Sequence, residues 1–181
     1  YLELCVIAEE LGRALAPVPF SSSVYLATEA LLLAGSEAQK NHYLPGLASG
    51  EIIATLATAE GLGQLQVAAT VSDGELNGTK VPVPDGAIAD VIIVLARGED
   101  GANSLYIVDS DDKTVTPSEL NSLDPSRGQA RLVFSGASAQ LLGASGQGDA
   151  LLAQIWDKAA VLFAFEQIGG CQAALEMGKA Y

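Results

Sequence analysis

Few side chains in this sequence of 181 residues have the type and spacing to do chemistry, and most of them are carboxylates. Glu60 ends the apolar run "IIATLATAE". A carboxylate there could meet a ligand or cap the following turn, and on the residues alone it reads as a cap or turn residue. Glu166, between Phe165 and Gln167, reads as a buried or interface hydrogen-bonding group. Asp109, Asp111 and Asp112 cluster, but the Gly and distal Glu of an EF-hand loop are missing, so a solvated hairpin turn is expected. Asp124 and Arg127 in "LDPSR" are spaced for a local ion pair, with Arg127 facing a ligand or partner chain as the alternative. His42 is the single histidine, which leaves no Ser-His-Asp arrangement and no metal-ligand set. Cys5 and Cys171 lack CxxC spacing and are expected as buried thiols of a reducing, cytoplasmic compartment.

The chain that must position these groups is 49% hydrophobic with a net charge of −13. That is enough to bury a core. Its nine Lys and Arg are scattered, so no basic stripe exists for a phosphate backbone and no nucleic-acid partner is expected. Charged or amide residues interrupt every apolar run before the roughly 18–20 residues of a membrane span.

Helical periodicity opens the chain: "YLELCVIAEELGRALAP" puts Leu4, Ile7, Ala8, Leu11 and Leu15 on one face, and Pro17 and Pro19 stop it. A second helix is expected near Ser23–Ala34, ended by Gly35. A third, short helix starts at Ser36, with Gln39 completing a capping box. From Glu51 the period changes, and "IIATLATAE", "LQVAATVSDGELNGTKVPV", "DVIIVLAR", "SLYIVDS" and "ARLVFSG" read as strands. Turns are expected at Asp73-Gly74, Asn77-Gly78 and Gly98 to Gly101. Pro82 and Pro84 make "KVPVPDG" an edge strand or an irregular segment.

From about Asp149 a long apolar helix follows, with Leu152, Ile155, Trp156, Ala159, Leu162, Phe163, Ile168, Ala173 and Leu175 as its expected apolar positions. Trp156 is expected in the core or an interface, and Gly169-Gly170 at a close helix crossing. The fold class is therefore α+β: a helical segment (1–54), a small antiparallel β-barrel or sandwich (55–147) and a long helix (148–181). Missing caps at both ends imply a portion of a longer chain.

In this order the words "AEELGRALAPVPF", "AGSEAQKNHYLPGLASGE", "ATAE", "LNGTKVPVPDGAIADVIIVLAR", "LDPSR" and "EQIGGCQAALEMGKAY" resemble the acyl-CoA dehydrogenase family. The resemblance implies a flavoprotein that binds FAD between a middle β domain and C-terminal helices and oxidises acyl-CoA to 2-enoyl-CoA. It further implies a homo- or hetero-oligomer with a related subunit and an electron-transfer flavoprotein as acceptor. The forms here are closest to the subfamily acting on steroid side-chain or other bulky CoA esters.

Carried over by position, the resemblance places Leu56, Thr58, Ala59, Val83 and Pro84 at the cofactor, and Glu60 and Asp157 at the substrate. It also brings departures. No Pro or Gly-Ser pair follows Glu60, the run Gly61–Val67 is short, Pro82 and Pro84 replace a Trp and a Thr, and Ala160 replaces an Arg found in some members. The family's catalytic Glu belongs to a later helical region, so no catalytic residue is assigned in this chain. The alternative is a noncatalytic structural subunit of a heteromeric dehydrogenase, with degenerate flavin contacts.

Overall fold

Four α-helices, one π-helix and eight strands make up the computed structural model, which describes residues 1–63 and 66–181. Helix α1 (Leu2–Ala14) is followed by a π-helix (Ser21–Thr28) that runs directly into α2 (Glu29–Ala34), and then by α3 (Glu37–Ser49). The strands are β1 (Ala54–Ala57), β2 (Thr70–Ser72), β3 (Glu75–Pro84), β4 (Val91–Arg97), β5 (Asn103–Asp109), β6 (Val115–Glu119), β7 (Gln129–Ser138) and β8 (Gln140–Leu142). Helix α4 (Gly148–Ala180) closes the order. The α+β class holds.

The buried face of α1 is Cys5, Ala8 and Gly12, rotated from the expected stripe; Ile7 and Leu15 are 44% and 73% exposed. Small residues won this face because α1 lies close against α4. A Cβ at Gly12 would fall inside contact distance of the Glu166 backbone, and one at Gly169 would stand 2.8 Å from Arg13 N. Gly169 therefore serves the expected close crossing within the chain itself.

The expected second helix is wound wider over its first eight residues, which buries Tyr25, Leu26 and Ala27 together. Gly35 ends α2 with extended backbone rather than a left-handed turn, and its lack of a Cβ keeps clear of Leu31 O, 2.5 Å from where one would stand. The capping box of α3 is closed in both directions, Gln39 N to Ser36 Oγ at 3.2 Å and Ser36 N to Gln39 Oε1 at 2.9 Å.

The sheet runs β6-β7-β3-β2-β4-β5-β8, with β1 added on β4. Most pairings are antiparallel, but β1 pairs β4 in parallel from Ala54↔Val91 to Ala57↔Val94, and β2 meets β4 in parallel at Thr70↔Arg97. The expected antiparallel barrel or sandwich is thus an open, mixed sheet. A parallel pair needs a crossover of a dozen or more residues, and here the β2–β3 hairpin supplies it in place of a helix. Strands β6 and β8 escaped sequence reading: β6 is mostly polar and contains Pro117, and β8 has three residues.

Strand β4 explains its own unbroken apolar run. Val91, Ile93 and Leu95 join the core under the helices, while Ile92, Val94 and Ala96 join the core between strands. A strand buried on both faces has no polar side to alternate with.

Asp73 and Gly74, both at positive φ, make the β2–β3 hairpin turn. Asn77-Gly78 is not a turn; it lies inside β3 beside a register shift, where Gly78 passes Ala69 so closely that a Cβ would meet its Cβ at 2.6 Å. A second shift between Lys80 and Val83 takes up Pro82, which has no N–H for the ladder. On α4, Leu151, Leu152, Ile155, Ala159 and Leu162 are buried, whereas Trp156, expected in the core or an interface, is 45% exposed. Cys5 is buried as expected; Cys171 is exposed, which corrects the paired expectation. Among the described residues, no helix is long and apolar enough to cross a membrane.

Candidate cofactor and substrate site

Two strand ends are tied together where β1 leaves the sheet. Val81 N donates to Ala59 O at 2.8 Å, and the Thr55 hydroxyl donates to Pro84 O at 2.5 Å. Beneath them Lys80 Nζ donates to Glu60 Oε1 at 2.6 Å and to Thr58 O at 3.3 Å. The same carboxylate accepts from Ala69 N at 3.0 Å and Ala68 N at 2.7 Å. Burial pushes the Glu60 carboxyl up, but Lys80 and the two amides outweigh it and hold the group below the usual carboxylate range. The Lys80 ammonium is itself held below the ordinary lysine value, because desolvation exceeds what Glu60 returns.

A cleft of about 440 Å³ opens beside these strand ends. Pro84 and Asp85 form one wall, Phe163, Glu166 and Gly170 of α4 another, and Ser21 and Arg127 reach in from the π-helix and the β6–β7 loop. Arg127 pairs with Glu166 across this cleft and donates to Ser21 Oγ at 2.6 Å. It does not form the expected local pair with Asp124, whose carboxylate instead accepts from Ser126 N and the Ser126 hydroxyl. Ser22 donates to Asp85 Oδ2 at 2.5 Å and so fixes the π-helix to the end of β3. Behind the cleft Tyr25 packs edge-on between Phe20 and Phe163, at 5.7 Å and 5.3 Å, and its burial pushes the phenol up to about 12.

Of the residues singled out from sequence, Pro84 lines the cleft, while Thr58, Ala59 and Glu60 are half-buried at the adjoining strand end. Leu56 is enclosed in the helix–sheet core and Val83 in the core between strands, so neither side chain presents surface to a ligand. Asp157 lies on an exposed part of α4, away from the cleft-lining residues. The short run Gly61–Val67 includes Gln64 and Leu65, which lie outside the described residues.

Sequence reasoning missed Ser21, Lys80 and the reach of Arg127 to Glu166. Lys80 had a signal, since it stands four residues from the buried Leu76 on one face of β3. The Arg127–Glu166 contact had none, being a meeting of distant segments. Away from the cleft, Asp112 accepts from Thr114 and from Ser138 N, as befits a turn. Among the described residues no group of three or more His, Cys, Asp or Glu could hold a metal ion.

The family described as "Acyl-CoA dehydrogenase, N-terminal domain" matches residues 1–51. The chain is 31% identical to the (2S)-methylsuccinyl-CoA dehydrogenase of Cereibacter sphaeroides, over 98% of this chain and 37% of that protein. It is 30% identical to an acyl-CoA dehydrogenase of Bacillus subtilis, over 95% of this chain and 50% of the relative. The structure of an acyl-CoA dehydrogenase complexed with FAD from Bacillus anthracis superposes with a TM-score of 0.90 at 27% identity, covering 98% of this chain and 34% of that one. The chain spans a quarter or less to half of the length of the curated relatives it matches. Matched along nearly its whole length by these relatives and by the fold of that structure, the chain belongs to the acyl-CoA dehydrogenase family.

Proposed function

We propose that this chain forms the flavin- and acyl-binding part of an acyl-CoA dehydrogenase that oxidises an acyl-CoA thioester to the 2-enoyl-CoA. The observation that carries the reading is the cleft between Pro84 and α4, in a chain that superposes over 98% of its length on an acyl-CoA dehydrogenase complexed with FAD. The residues present fit a flat, largely apolar ring with polar edges. Pro84 gives an apolar surface, Phe163 an aromatic one, and Ser21, Ser126, Arg127, Gln129 and Gln167 give hydrogen-bonding groups at the rim.

In this reading residues 1–54 complete a helical domain, 55–147 form the β domain and 148–181 begin a second helical domain. Thr58, Ala59 and Pro84 orient FAD, and Asp157 reaches the pantetheine arm. When bound, FAD supplies acceptance of the hydride leaving the β carbon. The α proton is not assigned to this chain's carboxylates. Glu60 is engaged by Lys80 and two amides, and Glu166 is engaged by Arg127. An electron-transfer flavoprotein is the acceptor, and the setting is a cytoplasmic homo- or hetero-oligomer.

A second reading, a noncatalytic subunit of a heteromeric dehydrogenase, is favoured by Pro82 and Pro84, which bring no N–H to the strand end, and by the Thr55 hydroxyl that takes Pro84 O. A solved steroid ACAD, 30% identical with a TM-score of 0.82 over 98% of this chain, suggests a bulky acyl group for either reading. The visible absorption spectrum of the purified protein, with release and identification of any flavin, separates the two. Stoichiometric FAD that bleaches on addition of acyl-CoA supports the dehydrogenase; a colourless protein supports the noncatalytic subunit.

A further inference from the structure

Lys80 is 0% exposed, and an ammonium taken wholly out of water is retained against a heavy desolvation cost. What it holds, directly and through Glu60, is backbone from two segments. Its Nζ donates to Thr58 O and to Glu60 Oε1 at the exit of β1. Through Glu60 it reaches Ala68 N and Ala69 N, which lead into β2, and Ala69 O in turn accepts from Arg97 N at 2.9 Å. Next to Lys80 on β3, Val81 N donates to Ala59 O. Glu60 therefore ties the exit of β1 to Ala68 and Ala69 at the entry of β2, and Lys80 anchors both to β3. An apolar pair could fill the same space, often without loss of stability. It could not take two amides and a carbonyl into one bonded cluster.

We propose that Lys80 and Glu60 are positioning residues for cofactor binding: they set the backbone of Thr58 and Ala59, and the entry to β2 at Ala68 and Ala69, in the arrangement that accepts a flavin dinucleotide. The inference rests on the flavin reading above. Both side chains are enclosed, at 0% and 6% exposure, so their role is to position backbone. Their effect passes through the strand end, which a displacement of about 1 Å is enough to spoil.

The test uses the protein freed of flavin, titrated with FAD while flavin fluorescence is followed, with thermal unfolding and amide hydrogen exchange measured on the same samples. The double variant Lys80→Met with Glu60→Gln removes both charges at similar volume. The expected result is an unfolding midpoint close to the parent, exchange at Ala68 and Ala69 faster by about tenfold or more, and FAD affinity lower by about 10- to 100-fold. Should the double variant fail to fold, Glu60→Asp keeps the charge but draws the carboxylate back by one methylene, and an affinity loss of several-fold is expected of it. Unchanged FAD affinity in folded variants whose exchange has quickened overturns the inference and leaves a purely structural ion pair. A parent protein that takes up no FAD overturns the flavin reading and the positioning role together, whereas parent-like binding by the variants overturns the positioning role alone.

Discussion

Replacing Gly169 with Ala is expected to destabilise the protein, although Ala favours helix by about 1 kcal/mol over Gly. The reason lies in the crossing of α1 and α4. A Cβ at position 169 would stand 2.8 Å from Arg13 N and 2.8 Å from the carbonyl carbon of Glu9, with the Glu9 oxygen closer still. These atoms are helix backbone and cannot swing aside, so the two helices must part by roughly an ångström, losing contacts along the buried Cys5, Ala8 and Gly12 face. Overpacking of this kind costs about 1–3 kcal/mol or more. After the propensity gain of about 1 kcal/mol, a net loss of up to about 2 kcal/mol remains. Gly178, on the same helix with nothing within 4 Å, supplies the control. Gly178→Ala is expected to be neutral or to stabilise by up to about 1 kcal/mol. Urea unfolding of the two variants beside the parent reads the difference as midpoint shifts of opposite sign. If Gly169→Ala shifts the midpoint upward as Gly178→Ala does, the close-approach account is wrong.

Removing the capping hydroxyl with Ser36→Ala should cost about 1 kcal/mol and quicken exchange of the Gln39 amide, both measurable on the same samples. Acid should destabilise through Glu60. Its native carboxyl is held below the usual range, so its contribution is fully present above the unfolded value of about 4.3 and is lost as pH falls through the lower native value. Urea midpoints taken from pH 7 downward should therefore fall less steeply in the Lys80→Met, Glu60→Gln double variant; an identical slope rejects Glu60 as a contributor.

Much of the fold was legible in local chemistry. The Ser36 capping box, the Asp73-Gly74 hairpin and the apolar runs of β1, β4, β5 and β7 need only neighbouring residues, and the structure has them where sequence puts them. Asn77-Gly78 has the composition of a turn but serves a bulge, because Ala69, brought alongside by the hairpin, needs the space that a side chain would fill. Trp156 and Ile168 look like core residues by type, yet α4 turns other positions inward.

Sequence by itself determined the α+β order, the acidic balance, the position of the long helix and the words that carry the family. These follow from side-chain type and period, which are properties of short segments. Only the tertiary structure decided that β1 and β4 run parallel, that small residues rather than leucines face the α1–α4 crossing, and that Arg127 finds Glu166 instead of Asp124. The same holds for the pairing of Lys80 with Glu60. Each joins segments far apart in sequence, and burial, close packing and the desolvation of charge choose among such partners only once the backbone has brought them together.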